Sequence, residues 1–513
     1  MKRRVFSLIL IPFLLFYALP AGAAEKEERT WQDESIYFLM IDRFNNGDQS
    51  NDHEVDRDDP KAYQGGDFQG VIDQLDYIKD MGFTSIWLTP VFDNQEKGYH
   101  GYWIKDFYNT DEHFGSLEKF KELVDEAHKR DMKVILDFIV NHVGPDHEWL
   151  NDPEKEDWFH EKQPMNMNDD ESLQNAWLYD LPDLNTENPE VRKYLLDAAA
   201  WWIEETDIDG YRLDTVRHVP QDFWEEFSET VKAEKEDFYL LGEVFDYDPR
   251  NIAKYEGVGI DGFADFPQAQ EMRDVFQKPD TDMDRLFNFW QYNQTYFENP
   301  YLMGTFIDNH DMVRFTNLIT QYNQFPGTRW KLPLAYMFTV PGLPILYYGS
   351  EIALSGGEDP DNRRLMDFRT DDELIQYITK LGELRNTHTA LTRGSMELLY
   401  EEDGMAVFKR EDENETLIVA INNTSKSQSV KLKSPQLAEG MELRGLIEGD
   451  LVRAEGDSYD IILDREKAEI YTLQQRSGLN YGFIGALSAV YIIFLIFIYY
   501  VWKKGKSRRK TEE

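Results

Sequence analysis

The chain has 513 residues, enough to bury a large core and to build a main domain with a smaller companion. Its formal net charge of −43 argues against nucleic acid, whose binding needs neutralised phosphates, and says little about a neutral ligand. It has no cysteine, which excludes disulfides and a cysteine-linked lipid anchor and leaves only oxygen or imidazole for a metal.

The first element, residues 1–24, reads as a signal peptide: Lys2, Arg3 and Arg4, an apolar run from Val5 to Leu19, then Ala21-Gly22-Ala23-Ala24. From Ser35 to about Thr389, β-rich runs alternate with amphipathic helical runs. The predicted strands are Ile36–Ile41, Ser85–Thr89, Val134–Val140, Gly210–Asp214, Tyr239–Val244, Gly262–Phe266, Met303–Asp308 and Pro344–Tyr348. Helical patterns between and after them include Leu117–Arg130, Val191–Glu205, Phe223–Glu234, Trp330–Phe338 and Leu374–Thr387. Eight strands each followed by helix predict a parallel (β/α)₈ TIM barrel over 25–141 and 186–390, with an open doubly wound sheet as the competing arrangement. Residues 142–185 are long for a strand-to-helix loop and are expected to form a small inserted domain after strand 3. After Thr389 strands follow strands, as in Met405–Lys409, Thr416–Asn422, Ser429–Leu432 and Glu469–Leu473, which predicts an antiparallel β-sandwich over 391–475.

Tyr481 to Trp502 holds no charged residue and is long enough to cross a hydrocarbon core of roughly 30 Å. Tyr499, Tyr500 and Trp502 sit at one edge, and residues 503–513 form a basic tail. Cations beside a span stay cytoplasmic, so the expectation is a single-pass cell-membrane protein with its globular body outside.

In a barrel of this kind, chemistry sits at the C-terminal ends of strands. Those ends are polar here: Asp137 to His142, Arg212 and Asp214, Glu243, and Asp308 to Asp311. A single acid at such a place is best read as a helix cap or a surface ion pair. Several beside Arg212, His142 and His310 are harder to explain structurally. Like charges held together raise one pKa and supply both an ionised carboxylate and a protonated one, the pair that glycoside hydrolysis needs.

The segments Asp137–His142, Gly210–His218, Gly242–Val244 and Phe306–Asp311 resemble the four consensus regions of the α-amylase family of glycoside hydrolases. Leu181-Pro182-Asp183-Leu184-Asn185, Tyr99-His100-Gly101-Tyr102-Trp103 and Asp359-Pro360-Asp361-Asn362-Arg363 also match family patterns. The resemblance implies Asp214 as nucleophile, Glu243 as general acid/base and Asp311 as the third carboxylate, stabilising the transition state. It implies that Arg212 keeps Asp214 ionised and oriented. His100, His142 and His310 would bind hydroxyls of the sugar at the cleavage point, Tyr102 would stack on its ring, and Asp359 and Arg363 would hold the next sugar toward the non-reducing end. The implied outcome is retaining endo-hydrolysis of α-1,4-glucosidic bonds in starch-like glucans.

The same resemblance implies a calcium site from Asn141, Asp183 and the backbone carbonyl of His218. The run Asn45 to Asp52 with Gly65-Gly66-Asp67 reads on its own as an Asx-rich turn. It resembles an N-terminal calcium loop of cyclodextrin glucanotransferases, with Asn46, Asp48, Asn51, Asp52, Gly65 and Asp67 at the matching positions. The chain departs from the family's amylases at Arg217, where they often carry lysine, which leaves the leaving-group side open. A maltogenic, cyclodextrin-degrading or glucanotransferase activity is the alternative within the class. A non-catalytic surface glucan-binding or partner protein is the alternative outside it, disfavoured because all three carboxylates are kept.

Overall fold

The computed structural model describes residues 29–509 except 168, 371, 434–436, 438–439 and 477–480. The predicted signal peptide, part of the connection before the apolar helix and the last four residues of the tail lie outside the described residues. Eight strands form the central sheet: β1 Ile36–Leu39, β2 Ser85–Leu88, β3 Lys133–Phe138, β4 Gly210–Leu213, β5 Tyr239–Gly242, β6 Gly262–Phe263, β7 Gly304–Thr305 and β8 Leu343–Tyr347. Every residue of these strands is buried except the first of β3, as expected of strands covered on both faces. All neighbours pair in parallel in the order β6-β5-β4-β3-β2-β1-β8-β7, and a parallel bridge from Ala264 to Gly304 joins β6 to β7. The sheet is therefore a closed (β/α)₈ barrel, not an open doubly wound sheet.

The helices cover it for legible reasons. Asp67 caps Phe68–Asp80 by accepting from the Gly70 amide, and Phe68, Val71, Leu75 and Ile78 form its buried stripe. Ser116 caps Leu117–Lys129, which buries Phe120, Leu123, Val124 and Ala127. Pro189 opens the helix Pro189–Thr206, which ends on left-handed Asp207.

The strands stop earlier than the sequence pattern predicts. The ladder of β7 ends at Thr305 because the next residues take side-chain partners: the Asp308 carboxylate accepts from Arg273 (2.9 Å) and from the Phe315 amide (2.7 Å), which turns the chain. At the β6 end a Cβ on Gly262 would lie 1.9 Å from the Leu302 carbonyl oxygen, so only glycine permits the close approach there.

Between β3 and Pro189 the chain makes short helical turns and little else. Bridges His142–Asp183 and Phe159–Leu184 fold this insertion back on itself. Trp149 and Trp158 pack against Tyr194, and Trp149 also stacks on Phe107 of the hairpin Phe92–Asn94/Ile104–Thr110.

The chain divides into two compact units, the second comprising 279–283 and 395–513. In the second unit a six-stranded antiparallel sheet and a two-stranded sheet (Gln428–Lys433 with Ser458–Leu463) enclose a core of Met405, Val407, Ile418, Val430, Tyr459 and Tyr471. This is the expected β-sandwich. Its strand Ser395–Glu402 escapes the sequence pattern because it is largely exposed and carries a bulge between Leu398 and Tyr400. Tyr481–Arg509 is one helix, and its stretch Gly485–Lys503 is apolar enough to span a membrane, with none of that stretch buried.

Candidate active site

Alternate residues of a strand face the same side, so Arg212 on β4 and Asp214 just beyond it point together into the barrel mouth. The Asp214 amide bonds the Phe138 carbonyl (3.1 Å) and the Glu243 amide bonds that of Leu213 (2.9 Å), which latches both acids to the preceding strand ends. One Nη of Arg212 donates to Asp137 Oδ1 (2.8 Å) and Asp214 Oδ1 (2.6 Å), and the other pairs with Glu243 Oε1. Asp137 Oδ2 accepts from the Tyr102 hydroxyl (2.7 Å), and Glu243 Oε2 accepts from the Thr215 amide (3.1 Å). One buried guanidinium thus holds three carboxyl groups. Aromatic side chains Trp87, Phe266 and Phe306 line the pocket that Arg212 and Glu243 share.

Burial pushes the Glu243 carboxyl up to about 8; nearby Asp214 and Asp311 push the same way, and Arg212 opposes them. Burial also pushes Asp137 up to about 7, against Arg212 and with Asp214. Glu243 is accordingly a proton carrier at neutral pH.

A second group adjoins the first through Tyr102, whose ring stacks on His310 with centroids 5.1 Å apart. His310 Nε2 meets Asp311 Oδ2 and Arg363 Nη2 meets Asp311 Oδ1, both at 3.2 Å. Arg363 Nη1 reaches Asp359 Oδ1 (3.2 Å), which also accepts from the Tyr99 hydroxyl (3.4 Å). The Asp311 side chain is 36 % exposed. Desolvation would raise its carboxyl, but His310, Arg363 and Arg212 outweigh that and hold it below the usual range. Burial pushes His310 down to about 4, and lowers His100 and His142 as well, so all three are neutral at pH 7. His142 Nε2 and His310 Nδ1 are buried acceptors or donors with no hydrogen-bond partner. His100 Nδ1 accepts from the Tyr102 amide (3.1 Å), and His142 Nδ1 lies 3.3 Å from Asn141 Nδ2.

The structure therefore gathers Asp214, Glu243, Asp311, Arg212, Tyr102, His310, Asp359 and Arg363 into one connected set. Sequence reasoning assigned no role to Asp137 or Tyr99, whose signal was only membership of a resembling segment. Arg217 is not free at the cleft: it pairs with Asp246 (2.9 Å) and donates to the Met167 carbonyl (3.2 Å).

The two sets expected to hold calcium can be tested for fit. Asp183 Oδ1, Asn46 Oδ1 and Asn51 Oδ1 are buried acceptors without a hydrogen-bond partner, which suits oxygen donation to a hard cation. Asp183 Oδ2 meets His160 Nδ1 (2.7 Å), and the His218 ring bonds the Leu173 carbonyl (3.0 Å), in keeping with a backbone role for His218. In the N-terminal loop Asn46 Nδ2 donates to Asp52 Oδ1 (2.7 Å), and a Cβ on Gly65 (φ 92°) would fall 2.8 Å from that oxygen. Asp67 spends its carboxylate on the amides of Gly47, Asp48 and Gly70, and exposed Asp48 accepts from Ser50. Among the described residues no three His, Cys, Asp or Glu side chains converge as metal ligands, so the fitting donors are amide oxygens, single carboxylates and main-chain carbonyls.

A closed (β/α)₈ barrel with a proton-holding carboxyl and further acids around one arginine at its mouth defines a carboxylate-type glycosidase. The model of the alpha amylase catalytic domain matches residues 38–380, and that of the alpha-amylase C-terminal domain matches 394–471. The chain is 62 % identical to a solved Anoxybacillus alpha-amylase, with a TM-score of 0.87, covering 88 % of this chain and 100 % of that one. It is 37 % identical to a beta/alpha-amylase of Paenibacillus polymyxa over 86 % of this chain, and spans 38 % of that relative's length. It is 35 % identical to a cyclomaltodextrinase of Thermoanaerobacter pseudethanolicus, covering 79 % of this chain and 72 % of the relative. The chain belongs to the α-amylase family and is a glycoside hydrolase of that type.

Proposed function

We propose that this protein hydrolyses internal α-1,4-glucosidic bonds of starch-like glucans with retention of configuration. The observation that carries the reading is the single Arg212 guanidinium in contact with Asp137, Asp214 and Glu243, with burial pushing the Glu243 carboxyl up to about 8. Two carboxyls sharing one guanidinium accord with the separation of about 5 Å used in retaining enzymes, which leaves no place for a water between the nucleophile Asp214 and the anomeric carbon. Glu243 gives its proton to the leaving oxygen while Asp214 attacks the anomeric carbon; the glycosidic C–O bond breaks as the glycosyl–Asp214 ester forms. Water, deprotonated by the Glu243 carboxylate, then cleaves the ester and restores both groups. Asp311 and its partners His310 and Arg363 stabilise the oxocarbenium-like transition state through sugar hydroxyls. Neutral His100, His142 and His310 donate and accept hydroxyl hydrogen bonds without adding charge, and Tyr102 offers its ring to the sugar face. Asp359 and Arg363 receive the next sugar.

Calcium would be held by Asn141, Asp183 and the His218 carbonyl, and by Asn46, Asn51, Asp52 and the Gly65 loop. When bound it supplies positive charge that ties the insertion and the N-terminal loop to the barrel. The apolar, exposed helix Gly485–Lys503 and the cations after it support a single-pass anchor with the catalytic body outside the cell.

The test uses the full chain in mild detergent with calcium, on soluble starch and maltooligosaccharides, following reducing ends and product anomer. Release of α-anomeric products, absent in Asp214→Asn, is expected; no turnover on any α-glucan by folded protein would sink the reading. The cyclomaltodextrinase among the relatives favours a second reading, ring opening of cyclodextrins. A much higher kcat/KM on cyclodextrins than on starch would establish it.

A further inference from the structure

Among the described residues of the barrel unit, Arg43, Arg314, Arg329 and Arg385 are buried without direct contact with the three central carboxyls, and Arg43 leads back to the cleft. Its Nε pairs with Asp42 at 2.6 Å, and both side chains are at most 2 % exposed. Its Nη1 donates to the Arg363 carbonyl (3.1 Å), and its Nη2 donates to the carbonyls of Pro60 (2.9 Å) and Ala62 (3.0 Å). The guanidinium carbon lies 3.8 Å from the centroid of the Tyr99 ring. The Arg43 carbonyl accepts from the Met366 amide, so main chain and side chain both grip the segment around Arg363. On the far side, Asp42 Oδ1 accepts from the amides of Gln64 (2.8 Å) and Gly65 (3.1 Å).

Tyr99 and Arg363 both contact the Asp359 carboxylate, and Arg363 also contacts that of Asp311. We propose that Arg43 is a positioning residue: its planar guanidinium, fixed by Asp42 and the 60–65 loop, sets Tyr99 and Arg363 and through them the sugar-binding groups Asp359 and Asp311. This rests on the reading of Asp359 and Arg363 as the site for the sugar toward the non-reducing end. Five donors in a fixed plane can serve a carboxylate, three carbonyls and a ring face together; a lysine ammonium cannot. The loop that Asp42 fastens, with Gly65 in it, is thereby mechanically continuous with the cleft.

The experiment compares Arg43→Lys, Asp359→Ala and Arg385→Lys in the full chain, in detergent, on reducing-end-labelled maltoheptaose. Arg385 is equally buried but donates to the carbonyls of Gln32, Phe338, Gly342 and Leu391, away from Asp359 and Asp311, and so reports a purely structural loss. Thermal unfolding of each variant is followed beside the product distribution, KM and kcat. Arg43→Lys is expected to redistribute the labelled products in the same direction as Asp359→Ala, with KM raised about tenfold and kcat changed much less. Arg385→Lys is expected to lower the unfolding temperature and leave the distribution alone. A wild-type distribution in Arg43→Lys beside a shifted one in Asp359→Ala overturns the proposal. A wild-type distribution in Asp359→Ala overturns the reading beneath it, and the proposal falls with it. Should Arg43→Lys fail to fold, Asp42→Asn, which weakens the carboxylate partner of the guanidinium and leaves Tyr99, Arg363 and Asp359 in place, must give the same redistribution.

Discussion

Arg212 and Asp214, two residues apart, are joined side chain to side chain at 2.6 Å on the axis-facing side of β4. The bond exists because the strand's period of two aligns them, and it leaves the second Nη of Arg212 for Glu243, just past the end of the next strand. Arg212→Lys keeps the charge but loses the fork. The expected outcome is a fall in kcat/KM on an aryl maltooligoside of about 10²–10³-fold, the scale seen when an oriented donor is removed from an active site. Near wild-type turnover in the lysine variant would contradict the part assigned to the guanidinium.

Glu243→Gln removes the transferable proton while keeping the shape. Turnover of maltooligosaccharides should drop by about 10²–10⁴-fold. Hydrolysis of an α-glycosyl fluoride, whose leaving group needs no proton, should suffer far less in its first step, read as the burst of fluoride. Equal losses on both substrates would show that Glu243 is not the proton donor.

The raised Glu243 carboxyl also fixes a pH limb. The protonated form is the active one, so kcat/KM stays level as pH rises toward 8 and falls about tenfold per unit beyond it. Measured on the fluoride, where the proton is not needed, the alkaline limb should be much weaker. An alkaline limb falling in the ordinary carboxylate range near 4 would refute the assignment.

Calcium should bind the folded chain and raise its unfolding temperature. At a free concentration 100 times Kd the stabilisation is about 2.7 kcal/mol per site. Scanning calorimetry with and without a chelator gives the shift, and Asp183→Asn should remove part of it. An unfolding temperature indifferent to calcium, with no binding by titration calorimetry, would remove the metal from the account.

The full chain is expected to float with phospholipid vesicles in a density gradient, and a chain ending at Arg476 to stay at the bottom. Equal flotation of both would assign membrane binding to some other surface.

What was legible in the sequence was local. The eight strands show as short apolar runs ending in polar residues, and Asp214 and Glu243 stand at those ends. Asp137 was named within its segment, yet its partner Arg212 lies 75 residues on, and nothing in the spacing joins them. Arg43 and the Arg363 carbonyl are 320 residues apart and meet only once the barrel has closed. Strand ends were overestimated for a related reason. Asp308 continues the pattern of β7 on paper, but its carboxylate bonds the Phe315 amide and bends the chain away. In the sandwich, Ser395–Glu402 was missed because its exposure does not alternate.

The barrel's hoop is fastened at its thinnest point. β6 and β7 hold two residues each, and the bridge between Ala264 and Gly304 closes the circle, whereas β1 to β5 pair through ladders of four residues. Opening of a native structure starts where the fewest main-chain bonds must break. Amide protons of the β6–β7 seam should therefore exchange with heavy water ahead of those in β1 to β4. The clasp joins the stave that leads to Asp311 to the neighbour of the one that ends at Glu243, so a molecule sprung there loses the alignment of its acids while most of its staves still stand.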